Sequence, residues 1–255
     1  MKFFSIITVC KNNLEELKTT FNSINLQSSE DYQWIVVDAN SDDGTKEWLK
    51  DIVSVDWISE PDKGIYDGMN KGISMSNGKY MIFMNSGDCF ASIDILEKVK
   101  SSIKRNNIPT FVYGDSIDIS EKYNEYYRKA KSYKKNWMGM ITQHQAMFFN
   151  SNKIGNIKYS YDFPLAADYG FISTILKNTD HSNILYLDFP ICKFSMGGTN
   201  ELQRFKAIKE DYLIRKNIIK LSGLLNSVLY LLHYFHTLVK KLSPSSRFIR
   251  HKSVV

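Results

Sequence analysis

Three short stretches carry the acidic groups best placed to do chemistry: Asp38-Ala39-Asn40-Ser41-Asp42-Asp43-Gly44-Thr45, Asn85-Ser86-Gly87-Asp88 and Ala166-Ala167-Asp168-Tyr169-Gly170-Phe171. A fourth, His144-Gln145-Ala146-Met147-Phe148-Phe149, opens on an imidazole. Asp38 follows the apolar run Trp34-Ile35-Val36-Val37, and Asp88 closes the stretch that follows Tyr80-Met81-Ile82-Phe83-Met84. A carboxylate at a strand end needs a donor, which a nucleobase or ribose could supply to Asp38. A single carboxylate at Asp88 suits a hard cation, Mg2+ or Mn2+, held together with phosphate oxygens. Plainer readings stand beside these. Ser41 to Thr45 has the chemistry of a turn and a helix cap, and Asn85 to Asp88 that of another turn. Asp168 suits the first turn of a helix, where the dipole favours an anion. His144 suits a hydrogen-bonded residue at the start of a strand.

The elements that must hold these groups follow from pattern. Phe3 to Val9 is a short apolar strand, and Leu14, Leu17, Phe21, Ile24 and Leu26 are spaced for one face of a helix. Strands at 34–37, 55–58 and 80–84 alternate with helices at 46–52 and 66–75, and another helix covers 93–103. Strands alternating with helices over about ninety residues indicate βαβ units and a mostly parallel sheet. Ligands of such sheets bind beyond the carboxyl ends of the strands, where Asp38 and Asp88 both fall. The second half changes character. Strands are expected at 111–115, 125–133, 146–149, 184–187 and 191–194, with a helix from about Asp168 to Leu176. Trp137, Met138 and Met140 belong to an acceptor loop or to the core, and Gly197-Gly198-Thr199 to a loop over the site or a simple turn.

Absences narrow the chemistry. No Gly-x-Gly-x-x-Gly follows the first strand, and there is no Walker A loop, Gly-x-Ser-x-Gly elbow or His-Glu-x-x-His. Hydride transfer, P-loop hydrolysis, α/β-hydrolase chemistry and zinc proteolysis therefore leave the leading candidates. Cys10, Cys89 and Cys192 are isolated, with no disulfide or zinc pattern, which fits small core residues and a reducing compartment. The first ten residues read as a buried strand, their apolar run being too short for a signal peptide.

Assembled in order, the motifs resemble glycosyltransferase family 2, the bacterial O-antigen and capsule type most closely. They are Ser5-Ile6-Ile7-Thr8-Val9, Val36 to Thr45, Ser59-Glu60-Pro61-Asp62-Lys63-Gly64-Ile65-Tyr66-Asp67-Gly68-Met69-Asn70-Lys71-Gly72, Asn85 to Asp88 and His144 to Phe149. The resemblance runs from about residue 3 to 200. It implies a GT-A fold, an α/β architecture with helices on both faces of the sheet, and inverting transfer of a sugar from a nucleotide diphosphate. It implies a nucleotide-sugar-binding half at 1–105 and an acceptor half at 106–200. Thr8, Val9, Asp38, Asn40, Lys63, Asn70, Asn85 and Ser86 would line the donor site, with Asp38 meeting the base and Lys63 and Asn70 in the segment closing over the nucleotide. Asp88 matches the last residue of the family's Asp-x-Asp metal motif, whose first acidic position is held here by Ser86. Asp168 matches the catalytic base, which takes the proton of the acceptor hydroxyl, and His144 would touch acceptor or diphosphate. A nucleotidyltransferase on a similar scaffold and a nucleotide-binding scaffold subunit are the other readings.

The formal net charge of +6 is unevenly spread. The last acidic residue is Asp211, and beyond it Arg215, Lys216, Lys220, Lys240, Lys241, Arg247, Arg250 and Lys252 are all basic. Residues 201–255 therefore read as a basic helical extension to a nearly neutral body. Leu221 to Val239 is free of charge but amphipathic: Leu224, Leu225, Val228, Leu229, Leu232 and Phe235 share one face, and Ser222, Asn226, His233 and Thr237 gather opposite. Such a helix suits an anionic membrane surface, and packing on the body or on a second copy as a homodimer is the alternative. Basic residues flanking an oily stretch argue against nucleic acid. The resulting expectation is a cytoplasmic enzyme, peripheral on the inner face of the membrane, acting on a lipid-linked saccharide.

Overall fold

The computed structural model describes residues 1–120, 124–196, 203–242 and 252–253. Four parallel strands form its first half: β1 (Phe4–Cys10), β2 (Tyr32–Asp38), β3 (Val55–Ser59) and β4 (Tyr80–Phe83), in the spatial order β4-β1-β2-β3. Their connections are α1 (Leu14–Asn25), α2 (Thr45–Lys50) and α3 (Ile65–Met75). The register sets Cys10 beside Asp38 and Asp38 beside Ser59, so all four strands point their carboxyl ends at one rim. β1 is buried throughout because it lies in the middle of the sheet with a core on each side.

Those two cores explain the helix placement. Leu17 and Ile24 of α1, Leu49 of α2 and Ile95, Leu96, Val99 and Ile103 of α4 (Ile95–Arg105) pack on one face with Phe4, Ile6 and Trp34. Tyr66 and Met69 of α3, with Phe171, Ile172 and Ile175 of α6 (Ala167–Lys177), pack on the other with Ile7, Ile35 and Phe83.

The second half extends the sheet in mixed fashion. β5 (Cys89–Phe90), β6 (Phe111–Ile119), β7 (Glu125–Arg128), β8 (Met147–Asn150) and β9 (Ile184–Ser195) enter with antiparallel pairs β4·β8, β6·β8, β6·β7 and β5·β9, and one parallel pair, β6·β9. The short α5 (Ser151–Ile154) follows β8. Two expectations change here. The strand expected to reach Tyr133 ends at Arg128, because residues 133–138 wind into a 3-10 turn. The two strands expected at 184–187 and 191–194 are one strand, broken in register where Gly114 and Asp115 of β6 face it. Gly197-Gly198-Thr199 lies outside the described residues.

The C-terminal part is helical: α7 (Arg204–Ile214), a π-helical turn over Arg215–Ile219, and α8 (Gly223–Leu242). Lys252–Ser253 forms β10 against β7. Ile208 and Ile214 of α7 are buried. α8 sits with its polar side inward: Asn226 and Thr237 are buried with Leu229, and Asn226 Oδ1 accepts from Nε of the fully buried Arg215 at 2.7 Å. Its apolar side faces outward, with Leu224 82%, Leu231 62%, Phe235 67% and Leu242 77% exposed. Among the described residues no helix is long and apolar enough to cross a membrane.

One glycine marks where the sheet is tightest. A Cβ on Gly78, just before β4, would sit 2.5 Å from the backbone carbon of Phe4 and the nitrogen of Ser5. Gly78→Ala is expected to force β4 away from β1 and to cost about 3 kcal/mol, read as a lowered urea midpoint with an unchanged slope.

Candidate active site

At the rim, the loops after β1 and β2 are tied together. The Asn12 backbone N–H donates to Ser41 Oγ at 2.8 Å, and Asn12 Oδ1 accepts from the Asp42 amide at 3.0 Å. Asp43 accepts from the Leu14 amide at 2.9 Å and the Thr45 amide at 3.2 Å, so it serves the first turns of both α1 and α2. Asp38 is fully buried beneath these loops. Its carboxylate accepts from the Ser41 amide at 3.0 Å and from the hydroxyls of Ser41 and Ser59. The donors demanded at that strand end are thus supplied from within the chain.

β4 leads into a turn with Gly87 at φ +94° that carries Asp88. Asp88 is 4% exposed, and its carboxylate accepts from Gln145 Nε2 at 2.7 Å and the Ser195 amide at 3.1 Å. Burial pushes its pKa up to about 7 against these two stabilising bonds. The side-chain oxygen of neighbouring Asn85 is buried and has no hydrogen-bond partner. Ser86 spends its hydroxyl on the Asn13 carbonyl at 3.4 Å. Among the described residues no cluster of three or more His, Cys, Asp or Glu groups could hold a metal by itself. One buried carboxylate beside an orphaned carbonyl oxygen is nevertheless a hard-oxygen donor set that fits Mg2+ or Mn2+ sharing phosphate oxygens.

Asp168 stands in the first turn of α6. Its Oδ1 accepts from the Tyr169 amide at 2.8 Å and from the Tyr66 hydroxyl at 3.3 Å. Burial raises its pKa to about 6, and the nearby Asp211 charge adds to the rise. A carboxylate held near neutrality in this way is suited to accept a proton.

Aromatic groups link the two acids. Tyr66 stacks on Tyr159 with ring centres 5.4 Å apart. Tyr159 OH lies 2.8 Å from His144 Nε2, and His144 stacks on Phe83 at 4.8 Å. Burial drives the His144 pKa down to about 3, so the ring is neutral. The residue after His144 is Gln145, which holds Asp88.

The other sequence-derived candidates divide. Lys63 is exposed on the rim, and Asn40 is exposed with φ +59° and accepts from Lys46 Nζ at 2.6 Å. Thr8 faces the interior: it is fully buried and its hydroxyl accepts the Trp34 indole N–H at 2.9 Å, so it braces the sheet beneath the site. Val9 is buried against Gly68 of α3. Asn70 also points inward, donating to the Tyr159 carbonyl at 3.0 Å and accepting from its amide at 2.9 Å, which pins that chain segment to α3. His144 is only 5% exposed. Trp137 and Met140 are half-buried, and Met138 is exposed. Sequence reasoning did not single out Ser59, Gln145, Tyr159 or Ser195. Only Gln145 and Ser59 carried a signal, as members of the quoted motifs.

A parallel β4-β1-β2-β3 sheet, extended by mixed strands and carrying these groups on its carboxyl rim, is a GT-A fold. Solved structures of that fold share it: TarS residues 1–349 of S. aureus with UDP-GlcNAc superimposes with a TM-score of 0.67 at 14% identity, over 92% of this chain and 73% of that one. The mannosyltransferase PcManGT of Pyrobaculum calidifontis, in complex with GDP-Man and Mn2+, gives 0.65 at 13% identity, over 92% and 70%. The family model for glycosyl transferase family 2 matches residues 5–162, more than half of the sequence, and the chain belongs to that family. An uncharacterized glycosyltransferase of Mycobacterium tuberculosis is 30% identical over 174 residues, covering 66% of each chain. A PGL/p-HBAD biosynthesis glycosyltransferase of Mycobacterium bovis is 27% identical over 178 residues, covering 66% of this chain and 67% of that one. The match thus spans about two thirds of the length of these relatives.

Thr8→Val removes the acceptor of the Trp34 indole and leaves a buried donor unpaired, at about 1–3 kcal/mol. Stability by urea titration is expected to fall by that amount while nucleotide affinity, read by calorimetry, stays within twofold, since the hydroxyl faces the core.

Proposed function

We propose that the protein is an inverting glycosyltransferase that moves a hexosyl or N-acetylhexosaminyl group from a UDP-sugar to a hydroxyl of a lipid-linked saccharide in surface polysaccharide synthesis, of the O-antigen or capsule kind. The observation that carries this is the pair of acids with raised pKa values, buried Asp88 at the end of β4 and half-buried Asp168 at the start of α6, joined by the Gln145–His144–Tyr159–Tyr66 chain. The UDP-GlcNAc and GDP-Man carried by the two structural neighbours and the Mn2+ of the second support the donor class and the metal.

In this reading the acceptor oxygen attacks C1 of the donor sugar, the C1–O bond to phosphate breaks, and the nucleoside diphosphate leaves with the bonding pair. Asp168 receives the acceptor proton, and the Tyr66 hydroxyl keeps its carboxylate oriented. Asp88, with Asn85 beside it, would hold Mn2+ or Mg2+, which would offset negative charge on the leaving diphosphate. Asn40, Lys63 and Ser86 line the donor side, with Asp38 shaping the base pocket through the loop it holds. Neutral His144 supports the acceptor side from beneath.

The outward face of α8 supports attachment to the inner membrane surface. Its exposed leucines and Phe235 lie between exposed Lys216, Lys220 and Lys241, a pattern suited to an anionic lipid interface.

Incubation with a panel of nucleotide sugars, a polyprenyl-linked acceptor and Mn2+ is expected to release nucleoside diphosphate; release of pyrophosphate, or no turnover from folded protein, overturns the reading. Asp168→Asn should lower kcat by at least about 100-fold with donor affinity retained, in line with the typical contribution of a general base. Because the base works deprotonated, kcat of the parent enzyme should fall as pH drops through about 6, and a flat profile from pH 5 to 8 would remove Asp168 from that role. Replacing Leu224, Leu231 and Phe235 together by Asp should abolish sedimentation with phosphatidylglycerol vesicles while the urea midpoint holds, since all three side chains are exposed.

A further inference from the structure

Helix α6 begins without a cap of its own. Its N-cap residue, Ala166, has no side-chain acceptor, and Asp168 spends one oxygen on the Tyr169 amide of the same turn. The amides just before the helix are met from elsewhere: one oxygen of Glu210, on α7, accepts from the Leu165 amide and the Ala166 amide, both at 2.9 Å. The anion therefore sits where the helix dipole favours it. Packing reinforces the contact. A Cβ on Gly170, one turn into α6, would touch Ile214 of α7 at 3.7 Å and Ile218 of the π-helical turn at 3.6 Å. Either side of Glu210, Arg204 and Asp211 form an ion pair at 3.5 Å, and Asp211 is buried.

We propose that Glu210 is a positioning residue for Asp168, clamping the two amides just before α6, so that helix α7 is a working part of the transfer site. This rests on Asp168 being the base. The segment 157–166 approaches α6 as irregular chain, with Tyr159 pinned to Asn70 at its near end. Glu210 is the only side chain among the described residues that bonds the Leu165 and Ala166 amides at its far end. Without it, the first turn of α6 is free to unwind, and Asp168 loses its set position against Tyr66. The charged and titratable groups facing Asp168 are Tyr66 from α3, Tyr159 from the segment before α6, and Arg204 and Asp211 from α7.

The test compares full-length wild type with Glu210→Ala, Glu210→Gln and Glu210→Asp by transfer kinetics and by 13C NMR titration of the Asp168 carboxyl. In Glu210→Ala, kcat is expected to fall about 10- to 100-fold, the scale of a misplaced reacting group, while donor KM stays within about twofold. The Asp168 titration is expected to move down from about 6 as water reaches the carboxyl. Glu210→Gln keeps an oxygen that can accept from both amides, so it should recover most of the rate. Wild-type kcat and an unmoved titration in Glu210→Ala overturn the proposal. So does equal impairment of the Ala and Gln variants with donor KM raised in step. Should Glu210→Ala fail to fold, Glu210→Asp decides: its carboxylate is drawn back by one carbon, and kcat should fall several-fold at constant donor KM, whereas a wild-type kcat rejects the clamp. Absence of transfer by wild type would count against the proposed function alone, because the Asp168 titration reads the clamp without turnover.

Discussion

A carboxylate taken out of water must be met by donors or by a cation, and the rim of this sheet is arranged around meeting that demand. Asp38 is met by Ser41 and Ser59, which draws the loop after β2 onto the end of β3. Asp88 is met by Gln145 and the Ser195 amide, which brings the turn before β8 and the end of β9 to the end of β4. Asp168 is met by Tyr66 and its own helix, which ties the second half to α3. Each acid therefore acts as a junction between elements far apart in sequence. At Asp88 and Asp168 the loss of water outweighs the donors, and burial raises both pKa values.

The local half of this arrangement was legible in the sequence. Apolar runs ending in Asp38 and before Asp88 follow from strand chemistry, and parallel pairing puts both on one rim. The cap chemistry of Asp43 is also local, since it serves the Thr45 amide two residues on. The partners were not legible, because nothing near Asp88 in sequence points to residues 57 and 107 positions away. The bonding of inward-facing polar residues was hidden for a related reason. Thr8 and Asn70 sit in motifs that resemble a donor site, yet both bond to the interior, one to Trp34 and the other to Tyr159. A polar residue in a motif can serve the scaffold beneath a site as well as the site itself.

The same limit applies to α8. Its amphipathic pattern was clear in the sequence, but a pattern does not say which face meets the body. Arg215 decides that question. Nε of the buried Arg215 donates to Asn226 Oδ1 at 2.7 Å, and that bond holds the polar face of α8 inward. The apolar face is left outside, the reverse of an ordinary surface helix. Leu229, expected with the apolar face, is drawn in with Asn226 and Thr237.

These two features place α7 between the outward helix and the acid in α6. One side of α7 presents Glu210 to the amides just before α6, and the turn that follows carries Arg215 to α8. Rigid packing transmits displacement, because a close-packed interior has little room to absorb it. Ile214 and Ile218 lie against Gly170, where no side chain of α6 intervenes, so a shift of α7 is felt within one turn of Asp168. The outward-facing helix on one side of this stack and Asp168 on the other side are thus held by one continuous set of contacts. Under the proposed function, setting the position of the base relative to the surface where a lipid-linked acceptor would reside is a demand that a freely jointed anchor would not meet.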